Sequence, residues 1–214
     1  MQAVIFANGE FIPTSNVDES VSAAELIIAA NGGSLHCRAL GIRPNVIIGD
    51  LDSMELEDQA IWRAEGVEFI SHPADKDQTD LELALLQAKA AGADKITVFA
   101  ALGRRWDHSV ANLMLAAEKN LVGLAIEFLH GDQRLFVIQN EADLDAEIGE
   151  RVSLIPLRGD AEGVTTYGLK YALNHETLTF GSSRGVSNVA IANGPSVKID
   201  ADILLCVISP RDHR

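Results

Sequence analysis

Apolar and polar positions keep two rhythms through the first 130 residues of the chain. Compact apolar runs at 3–7, 26–30, 46–48, 67–70, 96–100 and 125–129 have the length and composition of buried strands. Between several of them, residues 35–40, 54–64, 80–91 and 108–119 carry helical patterns. Strand and helix in alternation predict an α/β unit, a mostly parallel sheet flanked by helices. After about residue 132 the rhythm shortens. Short β-prone runs at 135–138, 152–156, 177–180, 197–199 and 203–208 are separated by Gly, Asn, Asp and Pro. No long helical pattern interrupts them, which predicts a small C-terminal all-β sandwich or barrel. The sequence therefore divides into domains at 1–132 and 133–214, with the boundary in the acidic stretch 131–150.

The strand at 46–48 runs directly into an acidic segment. Gly49-Asp50-Leu51-Asp52-Ser53 places two carboxylates two residues apart at a strand end, and ligands of open α/β sheets gather there. Two such charges about 4 Å apart repel by about 4 kcal/mol at an effective dielectric near 20. A hard divalent cation such as Mg²⁺ removes that cost and prefers oxygen ligands. The plainer reading makes Asp52 and Ser53 helix caps and Asp50 a solvated carboxylate.

A second cluster, Asp75-Lys76-Asp77-Gln78-Thr79-Asp80-Leu81-Glu82, follows the next strand. Thr79 and Glu82 have capping-box spacing and predict a helix starting near Asp80, with Leu81, Leu85 and Ala88 as its buried stripe. Capping explains Thr79 and Glu82 but not three aspartates in six residues beside Lys76. A third cluster, Gly103-Arg104-Arg105-Trp106-Asp107-His108, again follows a strand. Arginine's planar fork suits phosphate oxygens, and Asp107 is placed either to cap a helix or to orient an arginine. Each cluster alone is weak, but the fold brings strand ends together.

Composition narrows the function. A net charge of −14 argues against nucleic acid or membrane surfaces as partners, and a polyanionic substrate would need metal ions or local basic residues. No apolar run reaches the ~18 residues of a membrane span, and the apolar start of the chain is expected to be a first strand rather than a leader. Cys37 and Cys206 lack metal-type spacing and are expected to be reduced thiols of a cytoplasmic protein. There is no P-loop, no dinucleotide fingerprint and no nucleophile elbow. The six histidines show no ligand spacing, and His36, His72, His130, His175 and His213 are expected to be surface or polar-core residues.

On these residues the chain resembles the thiamine pyrophosphokinase family along nearly its whole length. The resemblance includes Asn8-Gly9-Glu10, Asn31-Gly32-Gly33, Gly49 through Ser53, Lys76 through Asp80, and Gly103 through His108 with Asn112. In the second domain it includes Val164 through Tyr171 and Gly185-Val186-Ser187-Asn188. The resemblance implies pyrophosphoryl transfer from ATP to thiamine, dependence on Mg²⁺ (Mn²⁺ as a substitute), and a homodimer with thiamine between one subunit's catalytic domain and the other's β domain. It implies that Asp50, Asp52 and Asp80 are the catalytic and metal positions. Asn31, Gly32, Gly33, Lys76, Asp77, Thr79, Arg105, Asp107 and His108 fall on the nucleotide side, and Ser187 and Asn188 on the thiamine side. Thiamine is a cation, so an acidic protein favours its approach.

Two residues depart from the family pattern. Asn31 stands where the family usually has Asp, keeping an acceptor oxygen but losing a charge. Arg104 stands where bacterial members usually have Gly, which either strains the loop or adds a cation near the triphosphate. Two other functions compete: a metal-dependent glycosyl- or nucleotidyltransferase built on Asp50-Leu51-Asp52, and a non-catalytic protein of the same fold that binds thiamine or nucleotide.

Overall fold

The computed structural model describes residues 1–51, 54–73 and 75–211. The chain forms two compact units, Met1–Gly131 and Asp132–Arg214.

In the first unit the order is β1 (Gln2–Phe6), α1 (Asn16–Ala23), β2 (Leu26–Ala30), α2 (Gly33–Leu40), β3 (Val46–Gly49), α3 (Leu56–Ala64), β4 (Glu68–Ser71), α4 (Asp80–Ala90), β5 (Lys95–Phe99), α5 (Trp106–Leu115) and β6 (Ala125–His130). The strands lie in the order β6-β5-β1-β2-β3-β4, and every pairing is parallel. Chain direction across the sheet reverses between β1 and β5, which makes the carboxyl ends of these strands a topological switch point. The period of two sends Val4 and Phe6 to the face carrying Val17, Cys37 and Trp62 from the first three helices. On the other face α4 packs over β2 and β3, burying Leu81, Ala84, Leu85 and Ala88. Truncating a side chain as enclosed as Leu85 to Ala removes about 2–5 kcal/mol.

The expected α4 begins where the capping box puts it: Thr79 Oγ1 accepts the Glu82 N–H at 3.2 Å. Other helix bounds shift. The helix expected over 54–64 begins at Leu56 with Glu55 as a cap that makes no side-chain bond, and Ser53 lies outside the described residues. The one expected over 108–119 runs from Trp106 to Leu115. Helix α1 has no counterpart in the hydrophobic pattern, because Val17 is the single buried residue of its eight.

The second unit contains β7 (Gln133–Ile138), β8 (Glu141–Asp143), β9 (Arg151–Pro156), β10 (Ala161–Tyr167), β11 (Glu176–Leu178), β12 (Asn188–Val189), β13 (Ser196–Lys198) and β14 (Leu204–Ser209). They form two antiparallel arrays, β12-β9-β14-β7 and β11-β10-β13-β8. Their inner faces share one apolar core that includes Leu154, Val164, Leu178, Val197 and Cys206, so the all-β expectation holds. β10 is missing from the sequence pattern, although at seven residues it is the longest described strand of this unit. Gly163, at φ +66, breaks its alternation, and the register shifts between Ala161 and Val164.

Candidate active site

Among the described residues of the first unit, three that are not glycine have positive φ: Asn31 at +48°, Leu51 at +60° and Ala100 at +54°. Each lies one or two positions beyond the carboxyl end of a strand, β2, β3 and β5 respectively. Strained backbone gathered at one end of a sheet is a mark of a functional site. A cleft of about 640 Å³ opens there, lined by Asp50, Lys76, Thr79, Asp80, Arg104, Arg105, His108, Ser109 and Asn112, together with Asn8, Gly9 and Glu10. That volume suits a small-molecule substrate.

The acidic side of the cleft is tightly built. Asn31 Nδ2 donates to Asp50 Oδ1 at 3.0 Å and to Asp80 Oδ2 at 3.1 Å. Lys76 Nζ stands 2.9 Å from Asp80 Oδ1, yet that buried oxygen accepts no aligned hydrogen bond, so the contact is Coulombic. Gly49 is required by this convergence. A Cβ there would stand 3.0 Å from Asn31 Cβ and 3.3 Å from Asp80 Cγ. Among the described residues no three acidic, His or Cys side chains form a metal cluster. Asp52 lies outside the described residues. Asp50 and Asp80 both supply hard oxygen donors to the cleft, and the unaligned Oδ1 of Asp80 has capacity for one more partner. That donor set fits a divalent cation such as Mg²⁺.

The basic side is organised by α5. Ser109 Oγ accepts the Gly103 N–H at 3.1 Å and lies 3.1 Å from the Arg105 carbonyl, while Asn112 Nδ2 donates to the Ala101 carbonyl at 2.6 Å. Two buried polar side chains three residues apart on one helix thus hold the 101–105 loop. Ser109 is not among the residues the sequence motifs single out, and its signal is this spacing directly after the arginines. Arg105 Nη2 donates to Asp107 Oδ2 at 2.6 Å. That bond holds the Asp107 carboxyl below its ordinary range and raises the already basic Arg105 guanidinium further. Asp107 therefore orients an arginine, the second of its two expected roles. Arg104 is absent from the positive-φ residues, so it adds a cation to the cleft wall without left-handed backbone strain.

Asp77 and Asp107 are exposed and not part of the cleft lining. Gly32 and Gly33 have a packing reason: a Cβ on Gly33 would collide with the Phe6 carbonyl, and one on Gly32 with the Asn8 side chain. In the second unit Asn188 is buried. Its Oδ1 accepts the Tyr171 and Val189 N–H groups at 2.9 Å each, and its Nδ2 donates to the Tyr171 carbonyl at 2.8 Å. Ser187 is exposed at φ +61, and its N–H donates to Ser153 Oγ at 3.0 Å. Cys37 and Cys206 are free, buried thiols whose pKa values burial pushes up to about 12, so neither is a thiolate nucleophile near neutral pH.

The family model described as the thiamin pyrophosphokinase catalytic domain matches residues 17–127, and the model for that family's vitamin B1 binding domain matches residues 137–204. Over 187 residues the chain is 30% identical to a thiamine pyrophosphokinase of Bacillus subtilis, covering 86% of this chain and 87% of that protein. The chain belongs to the thiamine pyrophosphokinase family.

Solved structures of the family agree. The crystal structure of thiamine pyrophosphokinase from B. subtilis superposes with a TM-score of 0.86 at 28% identity, covering 99% of this chain and all of that one. A thiamin pyrophosphokinase from Candida albicans shares the fold, with a TM-score of 0.83 at 15% identity over 97% of this chain and 88% of that one. Within this thiamine pyrophosphokinase fold, the cleft falls inside the span of the catalytic-domain model, apart from residues 7–10. Ser187 and Asn188 fall inside the vitamin B1 binding model. Among the described residues no helix is long and apolar enough to cross a membrane.

Proposed function

We propose that the chain transfers a pyrophosphoryl group from ATP to the hydroxyethyl oxygen of thiamine, releasing AMP and forming thiamine diphosphate. The observation that carries this reading is one cleft with the Asp50–Asp80 carboxylates on one wall and Lys76, Arg104 and Arg105 lining the same space. Carboxylates alone would repel a triphosphate, and cations alone would not hold a metal. Together they suit a metal–nucleotide complex.

Asp50, Asp80 and, from its place in the motif, Asp52 would hold Mg²⁺ or Mn²⁺. The bound cation would neutralise charge on the phosphate oxygens. Lys76, Arg104 and Arg105 would offset the remaining charge and orient the phosphate chain for in-line attack at the β-phosphorus. His108 and Thr79 line the same cleft and would face the nucleotide, with Asp107 acting through Arg105. As the thiamine oxygen bonds to the β-phosphorus, the bridge to the α-phosphate breaks and AMP departs. The hydroxyl proton passes to a carboxylate, Asp80 by preference.

The second unit would supply thiamine recognition in a homodimer. There Ser187 presents an exposed hydroxyl, and Asn188, bonded to the Tyr171 N–H and carbonyl, would contribute by positioning that segment. Reduced thiols and an acidic surface fit a cytoplasmic enzyme.

Incubation of the purified protein with ATP, thiamine and Mg²⁺ tests the proposal. It predicts AMP and thiamine diphosphate in equal amounts, and no AMP when thiamine is omitted. Thiamine binding with no AMP under any metal condition would mark a binding protein instead.

A further inference from the structure

Asn31 is 8% exposed and directly follows β2 in a left-handed conformation, φ +48, which Asn and Asp tolerate better than other side-chain-bearing residues. An amide NH₂ has two hydrogens, and here they go to two different carboxylates, Asp50 and Asp80. An ammonium meets only one of that pair, since Lys76 contacts Asp80. The amide is therefore the one described group that bridges both acids.

We propose that Asn31 is a positioning residue that keeps the Asp50–Asp80 pair assembled when no divalent cation is bound, so the cation site is preformed in the apoprotein. The idea rests on the proposed function, in which these carboxylates hold the cation. Two partly buried carboxylates drawn together without a cation repel, and each needs hydrogen-bond donors in place of water. Asn31 supplies one donor to each and adds no charge. A carboxylate at this position would have the same size and tolerate the same φ, but it would offer no donor and add a third negative charge. Such a cluster would stay together only around a cation. Asn31 thereby uncouples the shape of the site from metal occupancy, at the expense of one anionic ligand.

The test is thermal unfolding of the full chain, in chelator and in Mg²⁺, for wild type, Asn31→Asp and Asn31→Gly, with Mn²⁺ binding followed by electron paramagnetic resonance. Glycine accepts φ +48 with no side chain, so it removes the amide without adding charge. In chelator both variants are expected to melt at least ~4 °C below wild type, a shift readable for a chain of this size. Mg²⁺ is expected to return most of the loss to Asn31→Asp and part of it to Asn31→Gly. Asn31→Asp is also expected to bind Mn²⁺ about tenfold more tightly than wild type.

Equal Mg²⁺-dependent shifts in wild type and both variants would overturn the proposal. So would a loss in Asn31→Gly that Mg²⁺ leaves untouched, since that is packing alone. Should Asn31→Asp fail to fold even in Mg²⁺, Asn31→Gly decides by the same criterion. Absence of Mn²⁺ binding to wild type, with and without ATP, would remove the cation from the proposed function and the Asn31 role with it, and so marks the other failure.

Discussion

Lys76 Nζ sits 2.9 Å from Asp80 Oδ1, with the lysine one turn ahead of the helix that Asp80 opens. The pair joins the one described lysine of the cleft to an acid that Asn31 also holds. Asp80 thus has two partners before any substrate arrives, and its neutralisation should disturb both. Asp80→Asn and Asp50→Asn are each expected to lower kcat by about 10²–10³, the range for losing several kcal/mol of transition-state stabilisation. Circular dichroism should remain that of wild type. Steady-state rates with saturating ATP and thiamine check this.

The two arginines should behave differently. Arg105 is engaged by Asp107, whereas Arg104 lines the cleft with no ion pair among the described residues. Arg104→Gly removes this cation, and it is expected to raise KM for ATP threefold to tenfold with kcat nearly unchanged. The range reflects one charge-assisted contact discounted for an exposed site. Initial rates over a range of ATP at two ionic strengths check it, and the gap between wild type and variant should narrow in high salt.

Much of this site was legible in the sequence because its parts are local. The strand expected at 46–48 runs straight into Gly49 and Asp50, Thr79 and Glu82 cap a helix, and each charged cluster follows an apolar run, so strand-end geometry needs no tertiary information. What was hidden is tertiary. The Asn31 bridge joins residues 19 and 49 positions away, and no periodicity signals it. The roles of Gly32 and Gly33 depend on the approach of Asn8 and Phe6. Strand β10 was obscured by a glycine bulge, and α1 by having a single buried residue.

In the second unit, Ser187 and Asn188 should separate binding from stability. Ser187→Gly keeps the φ of +61 without strain, so it is expected to raise KM for thiamine about tenfold while leaving KM for ATP and the melting temperature unchanged. Asn188→Ala leaves the Tyr171 carbonyl and N–H without their buried partner. It is expected to cost about 1–3 kcal/mol of stability, measured by urea unfolding. Equal effects of the two substitutions on ATP and thiamine would contradict the assignment of thiamine recognition to this unit.

The buried thiols set an alkaline limit. Cys37 and Cys206 are raised from an ordinary value of 9.0 to about 12 by burial. Because the folded state holds these protons more tightly, the stability they confer is complete below pH 9 and is lost as pH rises toward 12. Each thiol is expected to lower unfolding free energy by up to about 1.4 kcal/mol per pH unit in that window. Denaturant midpoints at pH 8 and pH 10 should therefore differ, and Cys37→Ala should shrink the difference.

The most direct measurement traces the fate of label in ATP carrying distinct isotopes at the β- and γ-phosphorus, turned over by the wild-type protein with thiamine and Mg²⁺. The account predicts that both labels enter thiamine diphosphate together, one for one, with unlabelled AMP as the other product and no turnover in chelator. Release of ADP, with the γ-label alone in the product, would contradict pyrophosphoryl transfer and the cleft geometry proposed for it.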